Sequence, residues 1–94
     1  MTILWLVSAE HDLEALVDYI AEDNPNTALQ IFIKIRLSVE KLKVHPYLGR
    51  EGRVKQTREL VLPNLPYIVV YSVTKGVRIL ALLHTSRKWP KEFD

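Results

Sequence analysis

The 94-residue sequence contains no cysteine, only three glycines and no apolar run long enough to cross a bilayer. Without cysteine, disulfides, zinc–thiolate sites and thiol nucleophiles are excluded. A membrane span needs roughly 20 consecutive apolar residues, and the opening Ile3-Leu4-Trp5-Leu6-Val7 run stops far short of that. Nothing basic precedes this run and no small-residue cleavage site follows it, so it does not read as a signal peptide. The expectation is a soluble, cytoplasmic protein without membrane association. A Gly-rich phosphate loop, a His-x-Glu or His-x-x-x-His pair and a Gly-x-Ser-x-Gly elbow are all missing. Neither a metal nor an organic cofactor is therefore expected.

What is present has a globular balance, with 48% hydrophobic and 26% charged residues, which argues against intrinsic disorder. One domain over 1–94 is the expectation, because two independent cores do not fit in so short a chain. A chain of this size buries only about 60–65% of its unfolded surface, so the core is small and a partner would add stability.

Charge is unevenly distributed. Residues 1–40 carry seven acids against two bases, and residues 41–94 carry eleven bases against four acids. Such polarity suits a polyanion or an acidic partner on the basic side, or simply solvated charge kept for solubility.

Ile3–Val7 has the continuous apolar pattern of a short strand covered on both faces. Ser8 is positioned to cap a following helix, with Glu10 and Asp12 in its first turn. Leu13, Leu16, Val17 and Ile20 then form one apolar stripe. Asn24-Pro25 restarts a helix with Asn as cap and Pro at the first helical position, so the two helices form an antiparallel hairpin. The second helix, about Pro25 to Lys43, is apolar over a wide arc. Ala28, Ile31, Phe32, Ile35, Val39 and Leu42 make one stripe, and Leu29, Ile33 and Leu37 make another. The second stripe either packs within the domain or receives another chain's helix.

His45-Pro46 ends that helix, and a basic loop with Arg50, Arg53 and Lys55 follows. Arg58–Leu62, Tyr67–Val73 and Val77–Leu83 read as strands, the last one central, with a Thr74-Lys75-Gly76 hairpin. Pro63 and Pro66 keep Asn64-Leu65 out of a ladder. The fold class is α+β. Its order is β-α-α-β-β-β, a helical hairpin on one face of a mostly antiparallel four-stranded sheet. The expected core includes Leu13, Val17, Ile20, Phe32, Ile35, Val69, Tyr71 and Leu80.

No self-sufficient catalytic constellation is visible. His11 reads as a surface residue, and His45 as a residue at the end of the second helix. His84 lies at a strand end, followed by Arg87, Lys88 and Trp89. Charge for phosphate and a flat ring for stacking are what nucleic-acid contact requires. Cations that solubilise a terminus while Trp89 covers the sheet edge would look the same. Arg53 and Arg58 of the basic region form a second candidate surface.

Five segments in order carry a resemblance. They are Trp5-Leu6-Val7-Ser8-Ala9-Glu10-His11-Asp12-Leu13, Lys43-Val44-His45-Pro46-Tyr47-Leu48-Gly49, Thr57-Arg58-Glu59-Leu60-Val61, Pro66-Tyr67-Ile68-Val69-Val70-Tyr71 and Leu82-Leu83-His84-Thr85-Ser86-Arg87-Lys88-Trp89-Pro90. With them the chain resembles the RelE/ParE superfamily of type II toxin–antitoxin toxins, specifically its ParE branch, over nearly its whole length. The resemblance implies the RelE/ParE-like toxin fold and one of two activities. RelE-like members cut mRNA in the ribosome, whereas ParE-like members are not nucleases and trap DNA gyrase on cleaved DNA.

Several ribosome-dependent nucleases of the superfamily carry an arginine where Ile68 stands, and another near Pro63. An aliphatic side chain cannot hold a scissile phosphate. Gyrase poisoning, without enzymatic activity, is therefore the preferred reading. The alternatives are a ribosome-dependent endoribonuclease using His84, Arg87 and Lys88, and a degenerate or non-toxic member of the family. Target contacts are expected from Arg53, Arg58, His84, Arg87, Lys88 and Trp89. The resemblance also implies a cognate antitoxin, often with a ribbon-helix-helix DNA-binding module, and Leu29, Ile33 and Leu37 are its expected docking stripe. Operon repression would run through the antitoxin, so direct DNA binding by this chain alone is not expected.

Overall fold

The computed structural model describes residues 1–86 together with Pro90 and Phe93. The chain runs β1 (Ile3–Trp5), α1 (Val7–Ala21), α2 (Pro25–Glu40), a 3-10 turn (Lys41–Lys43), β2 (Arg50–Glu51), β3 (Arg58–Val61), β4 (Tyr67–Val73) and β5 (Val77–His84). The strands form one sheet in the order β1-β5-β4-β3-β2. β1 runs parallel to β5, and every other neighbouring pair is antiparallel.

The α+β class and the helical hairpin on one sheet face agree with the sequence expectation, while the sheet has five strands rather than four. The additional strand is Arg50–Glu51, which reads as loop from sequence because two charged residues show no strand periodicity. It exists through its partner, pairing Arg50 with Glu59 and Glu51 with Arg58. β1 also differs. It is an edge strand rather than one covered on both faces, and Leu4 remains 58% exposed.

Ser8 does not cap α1. The helix begins at Val7, Leu6 occupies the cap position without a side-chain bond, and Ser8 Oγ donates instead to the Leu80 carbonyl at 3.2 Å. Asp12 Oδ2 likewise accepts the Leu82 N–H at 3.0 Å. The reason is topological. β1 pairs with β5 only as far as Ile79, so the β5 edge beyond it needs other partners, and the first turns of α1 supply them. The start of α2 follows its sequence signal, with Asn24 Oδ1 accepting the Thr27 N–H at 3.1 Å and Pro25 at the first helical position.

The sheet is apolar on both faces. Leu60, Leu62, Val69, Tyr71, Val77, Ile79 and Leu82 meet Ala9, Leu13 and Leu16 of α1 and Ile35 and Val39 of α2 in the main core. Val17, Ile20 and Phe32 pack at its rim, half-buried. Leu80, expected in that core, is buried on the outer face with Ile68, Val70, Ala81 and Leu83, against which Leu6 and Phe93 pack. A register shift at Val70/Tyr71 makes this possible by pairing Val70 with Ala81 and Tyr71 with Ile79, leaving Leu80 between them.

Arg36 ties α2 to the other helix and to β1. Its guanidinium makes a two-pronged ion pair with Glu10 at 3.0 and 2.9 Å and lies 4.4 Å from the Trp5 ring centre. Among the described residues no helix is long and apolar enough to cross a membrane.

Candidate functional site

The cations between Arg50 and Arg58 are organised by one buried carboxylate. Glu59 faces the loop from β3 and is 2% exposed. Its Oε1 accepts from Arg50 Nη2 at 3.0 Å and Nε at 3.3 Å. Its Oε2 accepts the Arg53 main-chain N–H at 2.8 Å and Arg53 Nε at 3.2 Å. Burial pushes the Glu59 carboxyl up, but the hydrogen bonds from the Arg53 main chain and from both guanidinium groups, with the Arg53 charge, outweigh it. The carboxyl is held below its ordinary value. Arg53, a candidate target residue, is thus tied to β3, and a structural role for Glu59 was not legible as a site signal.

Arg58 sits differently. Its Nε and Nη2 donate to the Gly49 carbonyl at 3.1 and 2.6 Å, and Nη2 also reaches the Tyr47 carbonyl at 3.3 Å. Its guanidinium lies 5.1 Å from the Tyr47 ring centre. The same turn is fixed from β4, where the buried Tyr71 hydroxyl donates to the Pro46 carbonyl at 2.8 Å and accepts the Gly49 N–H at 2.9 Å. Gly49 is required there, since a Cβ would fall 2.7 Å from the Glu59 carbonyl oxygen and 2.8 Å from the Tyr71 ring.

His84 ends β5 opposite Tyr67, with the two rings edge-to-face at 5.2 Å. Its Nδ1 accepts the Ser86 N–H at 3.1 Å, and the Ser86 hydroxyl lies 2.8 Å from the same atom. His84 and Arg58 do not converge. Their partners on β4 are Tyr67 and Tyr71, four residues apart, or about 13 Å along the strand, and the two side chains belong to strands on opposite sides of β4. Arg87, Lys88 and Trp89 lie outside the described residues.

The second stripe of α2 is open. Leu29, Ile33 and Leu37 are 58%, 46% and 62% exposed. At its C-terminal end the stripe leads into a cavity of about 350 Å³ where Leu37, Lys34 and Lys41 face Leu62, Pro63 and Leu65. Ser38, Lys41 and Pro63 also line a neighbouring cavity of about 390 Å³ that reaches Leu48, Arg50 and Val61. The surface is an apolar track with lysines on its border, suited to an acidic amphipathic segment.

The sequence profile describing the ParE toxin of the parDE type II toxin–antitoxin system matches residues 3–89. Y4kP of Sinorhizobium fredii is 38% identical over 89 residues, covering 95% of this chain and 93% of that protein. Toxin RelE2 of Caulobacter vibrioides is 29% identical over 86 residues, covering 90% and 96%. Among solved structures, a chain of the chromosomal ParDE toxin–antitoxin system from P. aeruginosa superposes with a TM-score of 0.81 at 27% identity, covering 89% of this chain and 95% of that one. The family assignment that the sequence segments suggested is therefore met by profile, by relatives and by fold. The chain belongs to the ParE family of toxins of type II toxin–antitoxin systems.

Proposed function

We propose that this toxin acts in the cytoplasm on DNA gyrase, holding the enzyme on its cleaved DNA, and that a cognate antitoxin neutralises it. The observation that carries the target is Ile68. It is 3% exposed on the outer sheet face, packed with Val70, Leu80, Ala81 and Leu83. A phosphoryl-transfer site needs fixed cations at the reacting phosphate, and this position is filled by core. His84 supports the same reading. Its Nδ1 accepts the Ser86 N–H at 3.1 Å, so the lone pair of that nitrogen is already engaged and is not free to take a proton.

The open stripe Leu29, Ile33 and Leu37 with its lysine border supports the antitoxin contact. The antitoxin would lay an acidic amphipathic helix along it, and its own ribbon-helix-helix module would carry operator recognition.

Substituting His84 tests the non-enzymatic reading. His84→Ala should retain most of the growth inhibition on induced expression. A loss of roughly 10²–10⁴-fold, the scale of a missing general acid or base, would instead support mRNA cleavage.

A further inference from the structure

Arg58 is a half-buried cation whose charge no described carboxylate neutralises. Arg50 and Arg53 share Glu59, whereas Arg58 spends its bonds on the carbonyls of Gly49 and Tyr47. Glu51 is its cross-strand neighbour, yet no ion pair forms between them, because the guanidinium is turned toward the Pro46–Gly49 turn. Neutral carbonyls hold the group in place without cancelling its charge.

A cavity of about 400 Å³ opens beside it, lined by Tyr47, Glu51, Lys55, Gln56, Arg58 and Val73, among others. That volume is within the range of small-ligand clefts. Tyr47 is exposed, so its ring meets both Arg58 and the opening. Lys55 adds a second cation on the rim with no described partner. The wall is rigid. Gly52 donates to the Thr57 carbonyl at 2.8 Å and Thr57 donates to the Val54 carbonyl at 3.2 Å. Within this loop Gln56 is held at φ 64°, a left-handed conformation that is unfavourable for a non-glycine residue. Strain of this kind persists where surroundings over-determine it, often at binding sites.

From these features we propose that the Tyr47–Lys55–Arg58 cavity binds a nucleotide phosphate, with the base on the Tyr47 ring. An exposed aromatic ring beside two cations is the combination that stacks a base and neutralises its phosphate. The inference is independent of the gyrase reading and runs against the sequence expectation of no direct DNA binding by this chain alone. The same chemistry is offered by a free nucleotide and by a single strand.

The test is an amide NMR titration of the full chain with thymidine 5′-monophosphate, single-stranded (dT)6 and a hexaglutamate peptide. Shifts should concentrate at Gly52, Lys55, Gln56, Thr57 and Arg58. Lys55→Ala should weaken binding about threefold or more, and Glu51→Gln should tighten it about twofold, the scale of single exposed charges a few ångströms away. Tighter binding of (dT)6 than of the mononucleotide identifies a strand as the ligand, and equal binding identifies the nucleotide. Hexaglutamate binding as tightly as (dT)6, no shifts at these amides at millimolar ligand, or affinities indifferent to both substitutions would each overturn the proposal.

Discussion

The buried carboxylate of Glu59 accepts the main-chain N–H of Arg53 at 2.8 Å, across the ribbon formed by β2 and β3. One side chain thereby fixes a loop end and gathers two guanidinium groups. Breaking a buried charged hydrogen-bond network is costly because the partners left behind lose their acceptor.

Glu59→Gln should accordingly destabilise the free toxin by about 1–2 kcal/mol at pH 7, a reduced figure because Arg50 and Arg53 are themselves half-exposed. The effect has a defined pH dependence. The folded carboxyl lies below the ordinary value of 4.5, so on acidification the unfolded chain takes up the proton first. The stability from Glu59 is complete above 4.5 and is lost as pH falls through the lower folded value. Urea unfolding of both proteins from pH 7 to pH 3 should show their midpoints converging at the acid end. A constant gap at every pH would show that ionisation of Glu59 contributes nothing.

Tyr71→Phe isolates the neighbouring anchor. The ring and its packing remain, but the Gly49 N–H and the Pro46 carbonyl lose a buried partner. The expected cost is about 1–2 kcal/mol, with faster hydrogen exchange at the Gly49 amide. Unchanged exchange there would mean that the turn is held by the Arg58 contacts alone.

Ile33→Glu addresses the open stripe. Placing a charge in the middle of an apolar docking track should weaken the complex with the cognate antitoxin by about 2 kcal/mol or more. Ile33 is exposed in the free chain, so its thermal unfolding should barely change. Calorimetric titration giving wild-type affinity would remove the stripe from the interface.

How far the sequence could be read follows the physical range of each signal. Asn24-Pro25 and the α2 stripes are local patterns, and their structural counterparts match them. Ser8 carries an equally good local cap signal, but the unpaired β5 edge claims its hydroxyl, a competition visible only once the sheet is assembled. β2 is invisible for the same reason, since Arg50 and Glu51 become strand through their partners. The site shows the same division. Helical spacing groups Leu29, Ile33 and Leu37 on one stripe but leaves open whether it packs inside the domain; their exposure is decided by where α1 and the sheet sit. Arg53 and Arg58 look alike in a basic stretch, whereas Glu59 occupies one and leaves the other's charge unmatched, a difference that arises from pairing across strands.

The central claim, gyrase as target, is tested most directly by incubating the purified toxin with gyrase, ATP and supercoiled plasmid and trapping cleaved DNA with detergent and protease. A translating extract treated in parallel reports mRNA integrity through mapped transcript ends. The account predicts toxin-dependent accumulation of linear plasmid while the transcripts stay intact. Codon-phased cuts in mRNA with gyrase turning over normally would contradict it.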